Sequence, residues 1–151
     1  MYPKQFLDSA ITPFLKQFPN FNSKNAETLK AVFELNESLS AYVLNYKLIK
    51  LAKEQSKDNV QQGHLNHNSA KGKPFSIRIK EAGIRFCASE NIANGPPNML
   101  FELTLLYLDI GVPGLGHRKA LFNPQLIELG LGVTAQNADT YYVVQDFACA
   151  Q

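Results

Sequence analysis

Five side chains combine a reactive type with informative surroundings: His67, Glu90, Glu102, Asp109 and His117. His117 lies in Gly111-Val112-Pro113-Gly114-Leu115-Gly116-His117-Arg118, where glycine and proline mark a shaped loop. A loop histidine on a rigid scaffold can be aimed at a cleft, and its imidazole changes charge near neutral pH. The plainer role for such a residue is to hydrogen-bond the backbone and shape the turn. His67 sits in a second polar loop, His64-Leu65-Asn66-His67-Asn68-Ser69. His64, three residues earlier, would share a metal with it only on a continuing helix, and Gly63 interrupts that helix. Glu90 falls within an otherwise strand-like run, where a half-buried carboxylate is costly unless it is paired. Asp109 closes an apolar helical run, at the end where the helix dipole disfavours an acid, so a compensating partner is expected. Glu102 is the alternate acid, placed on the polar stripe of the same helix.

Two imidazoles and two carboxylates brought together would suit a divalent metal such as zinc. They would equally suit general acid–base work, with each carboxylate orienting an imidazole. Spacing alone does not choose between these. The chain has no Gly-x-Ser-x-Gly, no His-Glu-x-x-His and no phosphate-cradling glycine loop, so the hydrolase and nucleotide classes that carry those motifs gain no support.

The elements that must position these groups follow from pattern. Pro13 and Pro19 restrict the phenylalanine-rich start, with Phe6, Phe14, Phe18 and Phe21, to short helical pieces packed on the surface. Ser23 caps a helix over residues 26–39. Asn45 caps another that presents Leu48, Ile49, Leu51 and Ala52 and ends at Gly63. A loop over 64–74 leads to a short helix over 75–82, stopped by Gly83. Residues 84–93 form a strand, 98–109 a buried helix, and 128–135 with 140–148 an antiparallel hairpin. Helices first, then helices interleaved with a small sheet, give an α+β fold with both sheet faces covered.

The 151 residues suffice for a single core, and their 45% apolar and 19% charged composition is that of a globular domain. Lysines and arginines are scattered and the formal charge is only +2, which argues against a nucleic-acid partner. No apolar run approaches the ~20 residues of a membrane span. Met1-Tyr2-Pro3-Lys4 lacks the apolar stretch of a secretory signal, as expected of a cytosolic chain or of a mature portion. Cys87 and Cys149 form no Cys-x-x-Cys, which removes a zinc knuckle. On the residues alone they are either two free thiols or, if their strands are neighbours, a disulfide implying an oxidising compartment.

Several motifs now fall in one order: Asn66-His67-Asn68; Phe75-x-x-Arg78-x-x-x-x-Gly83; Ser89-Glu90-Asn91-Ile92-Ala93; Gly116-His117-Arg118-x-x-Leu121-x-Asn123-Pro124; Gly130-x-Gly132-Val133; and Gln145-Asp146-Phe147-Ala148. The set resembles the CAP superfamily of cysteine-rich secretory, antigen-five and pathogenesis-related class one proteins, and most of all its bacterial SCP-like members. The resemblance covers about residues 25–149, leaving residues 1–24 as a lead-in and 25–151 as one domain. It implies a three-layer α-β-α sandwich, with a small antiparallel sheet between helices and a central cleft lined by two histidines and two acids. Matched motif by motif, these are His67, Glu90 and His117, with Asp109 as the second acid. The family's usual tryptophan on that helix is absent, so Glu102 stays in play, and the first helix lacks the family's Asn-x-x-Arg.

The resemblance also implies a secreted or periplasmic location and favours a Cys87–Cys149 bridge. Its members are variously binders of lipids or other small ligands, metal-dependent proteases, and interaction modules. Three functions are therefore carried forward. The first is a non-enzymatic binding module for a small ligand, lipid, metal or peptide, with no required cofactor. The second is a metal-dependent hydrolase in which His67 and His117 hold zinc and Glu90 activates water, making Glu90 and His117 the candidate catalytic residues. The third is an interaction module that docks through the phenylalanine-rich start. Oligomeric state is not readable from the sequence.

Overall fold

The computed structural model describes residues 3–35 and 40–151. Its centre is a four-stranded sheet in the order β1-β3-β4-β2, from β1 (Val43–Leu44), β2 (Ala88–Gly95), β3 (Glu128–Ala135) and β4 (Tyr141–Ala148). The long strands are antiparallel, with Glu90 opposite Asp146 and Val133 opposite Val143. The short β1 joins β3 in parallel, a strand the sequence pattern does not reveal because two residues carry no periodicity. The layered α+β sandwich is as the resemblance implied, with this one parallel pair added to an otherwise antiparallel sheet.

One face of the sheet is covered by α4 (Tyr46–Gln62) and α5 (Phe75–Glu81). Asn45 starts α4 by accepting from the Lys47 and Leu48 amides, and Gly63 ends it at φ 72°. Leu48, Ala52 and Ser56 turn toward the sheet, where Ser56 Oγ meets Thr134 Oγ1 at 2.7 Å. Gly130 and Gly132 let α4 approach closely, since a Cβ at either would overlap the backbone of Leu48 or Ala52. The Gly-x-Gly run thus serves helix–sheet contact.

The other face is covered by α6 (Met99–Leu108) and α7 (Gly116–Leu121), through Ala93, Leu106, Ala120, Leu121, Leu126 and Phe147. Beyond them lie α1 (Pro3–Phe6), a π-helical turn Leu7–Ile11, α2 (Thr12–Gln17) and α3 (Lys24–Leu35). Phe6, Phe14, Ile11, Leu29, Phe33 and Leu108 form one cluster there. Phe6 and Phe14 are buried, so they offer no free docking surface. The expected continuation of the third helix over 36–39 lies outside the described residues.

Two boundaries differ from expectation. The strand expected from residue 84 begins at Ala88, because Gly83 at φ 74° turns the chain and Ile84 drops into the core beside Leu48 and Leu51. His117 belongs to the first turn of α7 rather than to an irregular loop. The glycines and proline shape only the approach to that helix, and Gly116-His117-Arg118-Lys119-Ala120-Leu121 itself is helical.

Candidate functional site

Glu90 and Asn91 are adjacent on the edge strand β2, so strand alternation sends them to opposite faces of the sheet. Each meets one histidine segment.

On the α4/α5 face, the His67 Nδ1 lies 2.9 Å from Glu90 Oε1. A carboxylate only accepts, so Nδ1–H donates and the neutral ring keeps Nε2 as its free acceptor. Glu90 is held from its other oxygen by Arg78 Nη2 at 2.7 Å, and the same nitrogen donates to the His67 carbonyl at 3.1 Å. Arg78 is itself buried, with the Phe75 ring 5.4 Å from its guanidinium carbon. Gln55 Nε2 donates to the carbonyls of Asn66 and Asn68, fixing the turn on both sides of His67. The Glu90 side chain is 1% exposed while that of His67 is 57% exposed, so the acid is internal and the imidazole looks outward.

On the α6/α7 face, His117 Nδ1 lies 2.7 Å from Asp109 Oδ1, and the Arg118 amide donates to Asp109 Oδ2 at 2.9 Å. This answers the puzzle of an acid at the end of α6. Asp109 adopts φ 53° just past that helix, which carries its carboxylate away from the carbonyl end of α6 and onto the amide end of α7. Leu115, preceding α7, is also left-handed and supplies no side-chain cap, so Asp109 fills that role. The Arg118 guanidinium is buried and donates to the carbonyls of Tyr107, Leu108 and Asn25 and to Thr28 Oγ1. Asn25 in turn donates to the Asp109 carbonyl at 2.9 Å, so α3 braces the His117 pair.

Asn91 links the two halves, its Nδ2 donating to the His117 carbonyl and to Gln145 Oε1, both at 3.3 Å. Glu102 takes no part. Its carboxyl is 1% exposed, lies against Gly95, and has no hydrogen-bond partner, and burial pushes it up to about 7. His64 is likewise separate, with Nδ1 on the Gln62 carbonyl. Among the described residues no three histidine, cysteine or acidic groups converge as a metal-binding set.

Cys87 and Cys149 form a disulfide, with Cα atoms 5.4 Å apart, extending the β2–β4 pairing past Ala88 and Ala148. Arg78, Arg118 and Asp146 were given no role by sequence reasoning. The available signal was the charge in each: an Asp inside the apolar run Val143–Ala148, and an Arg in each of two short helices.

The architecture is thus a helix–sheet–helix sandwich with an acid-anchored histidine on either side of its edge strand. The chain belongs to the CAP family, described as the cysteine-rich secretory protein family, whose model matches residues 36–147. No curated protein matches it. Among solved structures it is similar to an extracellular protein of Bacillus anthracis that contains an SCP domain, with 25% identity and a TM-score of 0.57 over 74% of this chain and 35% of that one. It is also similar to an outer surface protein of Borrelia burgdorferi, with 20% identity and a TM-score of 0.61 over 84% and 90% of the two chains. A cysteine-rich secretory protein of Staphylococcus aureus aligns at 14% identity and a TM-score of 0.50, over 95% of this chain and 40% of that one. The chain spans about a third of the Bacillus protein's length. Among the described residues no helix is long and apolar enough to cross a membrane.

Proposed function

We propose that this is an extracytoplasmic, non-enzymatic binding domain whose two histidines line one cleft across the edge of β2 and hydrogen-bond a small ligand, lipid or peptide. The observation that carries the reading is the common form of the two pairs. Each imidazole is tied through Nδ1 to a buried acid, which leaves Nε2 without a partner among the described residues. A ring locked in this way presents a fixed acceptor, or a donor once protonated, at little further cost in entropy. The outward location draws on the disulfide, which persists in oxidising compartments, and on the outer-surface and extracellular character of the similar proteins.

The test is a ligand-observed NMR fragment screen, with hits mapped on the Hε1 resonances of His67 and His117. Hits that saturate and perturb both resonances support the reading. Hits that bind elsewhere and leave both unmoved overturn it.

A second reading, the metal-dependent hydrolase, draws on the same free Nε2 atoms, because carboxylate-anchored imidazoles are how many proteins present histidine to zinc. The donor set fits poorly: two imidazoles are available, but no third ligand joins them among the described residues. Added zinc should therefore raise the thermal midpoint little, and His117→Ala should abolish whatever rise occurs. Zinc-dependent hydrolysis of a peptide panel, lost in His117→Ala, would favour the hydrolase instead.

A further inference from the structure

Behind Glu90, on the same sheet face, lies Asp146. The two are register partners on neighbouring strands, and Asp146 is 0% exposed. Neither of its carboxyl oxygens receives a bond from a nitrogen or hydroxyl donor. The polar group that faces it across the register is the Glu90 carboxyl, which acts on it electrostatically. Both Glu90 oxygens are already engaged, one by His67 and one by Arg78. Among the described residues, the charges that act on Asp146 are those of Glu90 and Arg78. From α4 come Leu48 and Ala52, from β3 the partner is Gly130, and from α5 the cation that acts on Asp146 is Arg78.

Two carboxylates cannot both stay ionised in contact, buried, with one guanidinium between them. A hydrogen bond between two carboxyl groups also requires that one of them carry the proton. Both Glu90 oxygens already accept, one from His67 and one from Arg78, so Glu90 has no oxygen left to carry the shared proton. The proton therefore belongs to Asp146.

We propose that Asp146 is a proton-bearing positioning residue, whose O–H donates to Glu90 and fixes that carboxylate toward His67. Burial and the neighbouring Glu90 together push the Asp146 carboxyl up to about 9, against the smaller opposing pull of Arg78. The resulting chain runs from Asp146 to Glu90 to His67 Nδ1. It leaves the imidazole in a single tautomer with Nε2 outward, and Arg78 balances the one negative charge. The functional meaning of this device rests on the cleft reading above, but its measurement needs no ligand.

The experiment uses the full chain without ligand and has two readouts. The first is the Asp146 side-chain carboxyl carbon followed by 13C NMR against pH. It should hold the protonated shift at neutral pH and titrate only toward pH ~9. A carboxylate shift at neutral pH overturns the proposal, and because this uses the wild-type protein it does not depend on any variant folding. The second is the His67 tautomer read from its 15N shifts. Asp146→Asn keeps a neutral donor and should retain the Nδ1–H form, whereas Asp146→Ala should give a mixture. An unmixed Nδ1–H form in Asp146→Ala, or a mixture in Asp146→Asn, refutes the positioning role. Failure of the fragment screen with these readouts as expected would remove the cleft reading and leave the Asp146 device standing.

Discussion

Replacing Glu102 with glutamine should stabilise the protein by an amount that grows as pH rises. The Glu102 carboxyl is 1% exposed, rests against Gly95 and has no hydrogen-bond partner for either oxygen. Burial raises it from 4.5 to about 7. Below the unfolded value both states hold the proton and the group contributes nothing to the pH dependence. Between the two values the unfolded chain releases a proton that the folded chain keeps, so stability falls with rising pH by about 1.4 kcal/mol per unit. Above the folded value both states are ionised and the full penalty persists. The interval from 4.5 to about 7 makes that penalty about 3 kcal/mol at most, a large share of the roughly 5–15 kcal/mol of a typical domain.

Glutamine has nearly the same shape and does not ionise, so any fixed cost of burying its amide is independent of pH. Asp146 titrates in both proteins and cancels from the comparison. Urea unfolding of wild type and Glu102→Gln, at matched pH values from about 4 to about 8, isolates the slope. The difference should widen by about 3 kcal/mol across that range and then level off. A flat difference, or one that narrows with pH, would show that Glu102 is ionised and solvated in the fold, and the reasoning from burial would fail.

Gly132→Ala should cost about 1–3 kcal/mol or more in denaturant unfolding, because its Cβ overlaps the Ala52 backbone where α4 meets β3; a neutral result would mean that the helix can back away freely. Reducing the Cys87–Cys149 bridge, which spans 62 residues of sequence, should cost about 4 kcal/mol in the chain-entropy model, read as a lower urea midpoint under reductant. Thr28→Val removes the Arg118 Nη1 partner at 3.0 Å and should cost about 1–3 kcal/mol, with changed His117 15N shifts by NMR and rescue in Thr28→Ser. Unchanged His117 15N shifts would mean that α3 braces the fold without reaching His117.

The sandwich and most of its elements were legible because their signals are local. Asn45 and Gly63 bound α4 with standard cap chemistry, and β4 reads as an apolar-rich run because, inside the sheet, it is buried on both faces. The two awkward acids, Glu90 within a strand and Asp109 at a helix end, were legible as costs before their partners were known. What stayed hidden depends on tertiary contact. No periodicity exists in two residues, so β1 is defined only by its bonding to β3. Ile84 reads as the start of a strand, yet burial beside Leu48 and Leu51 decides its place. Arg78 looks like an ordinary charge on the short amphipathic α5, and only the fold brings its guanidinium onto Glu90.

The arginines give the two halves of the site a common logic. On each side of β2, a histidine is oriented by a buried acid and the acid's surroundings are fixed by an arginine: His67–Glu90–Arg78 under α4 and α5, and His117–Asp109–Arg118 beside α6 and α7. The arginines also grip backbone carbonyls, Arg78 that of His67 and Arg118 those of Tyr107, Leu108 and Asn25. For Arg78, charge neutralisation and loop anchoring fall to the same side chain, whereas Arg118 reaches Asp109 by its backbone amide and spends its guanidinium on carbonyls and Thr28. Substituting either arginine should disturb the tautomer of its own histidine more than that of the other. Asn91 links the pairs, its amide reaching the His117 carbonyl from the residue next to Glu90. Histidines held in this way acquire their geometry on folding, so under the proposed binding role little would be left to order at the edge of β2.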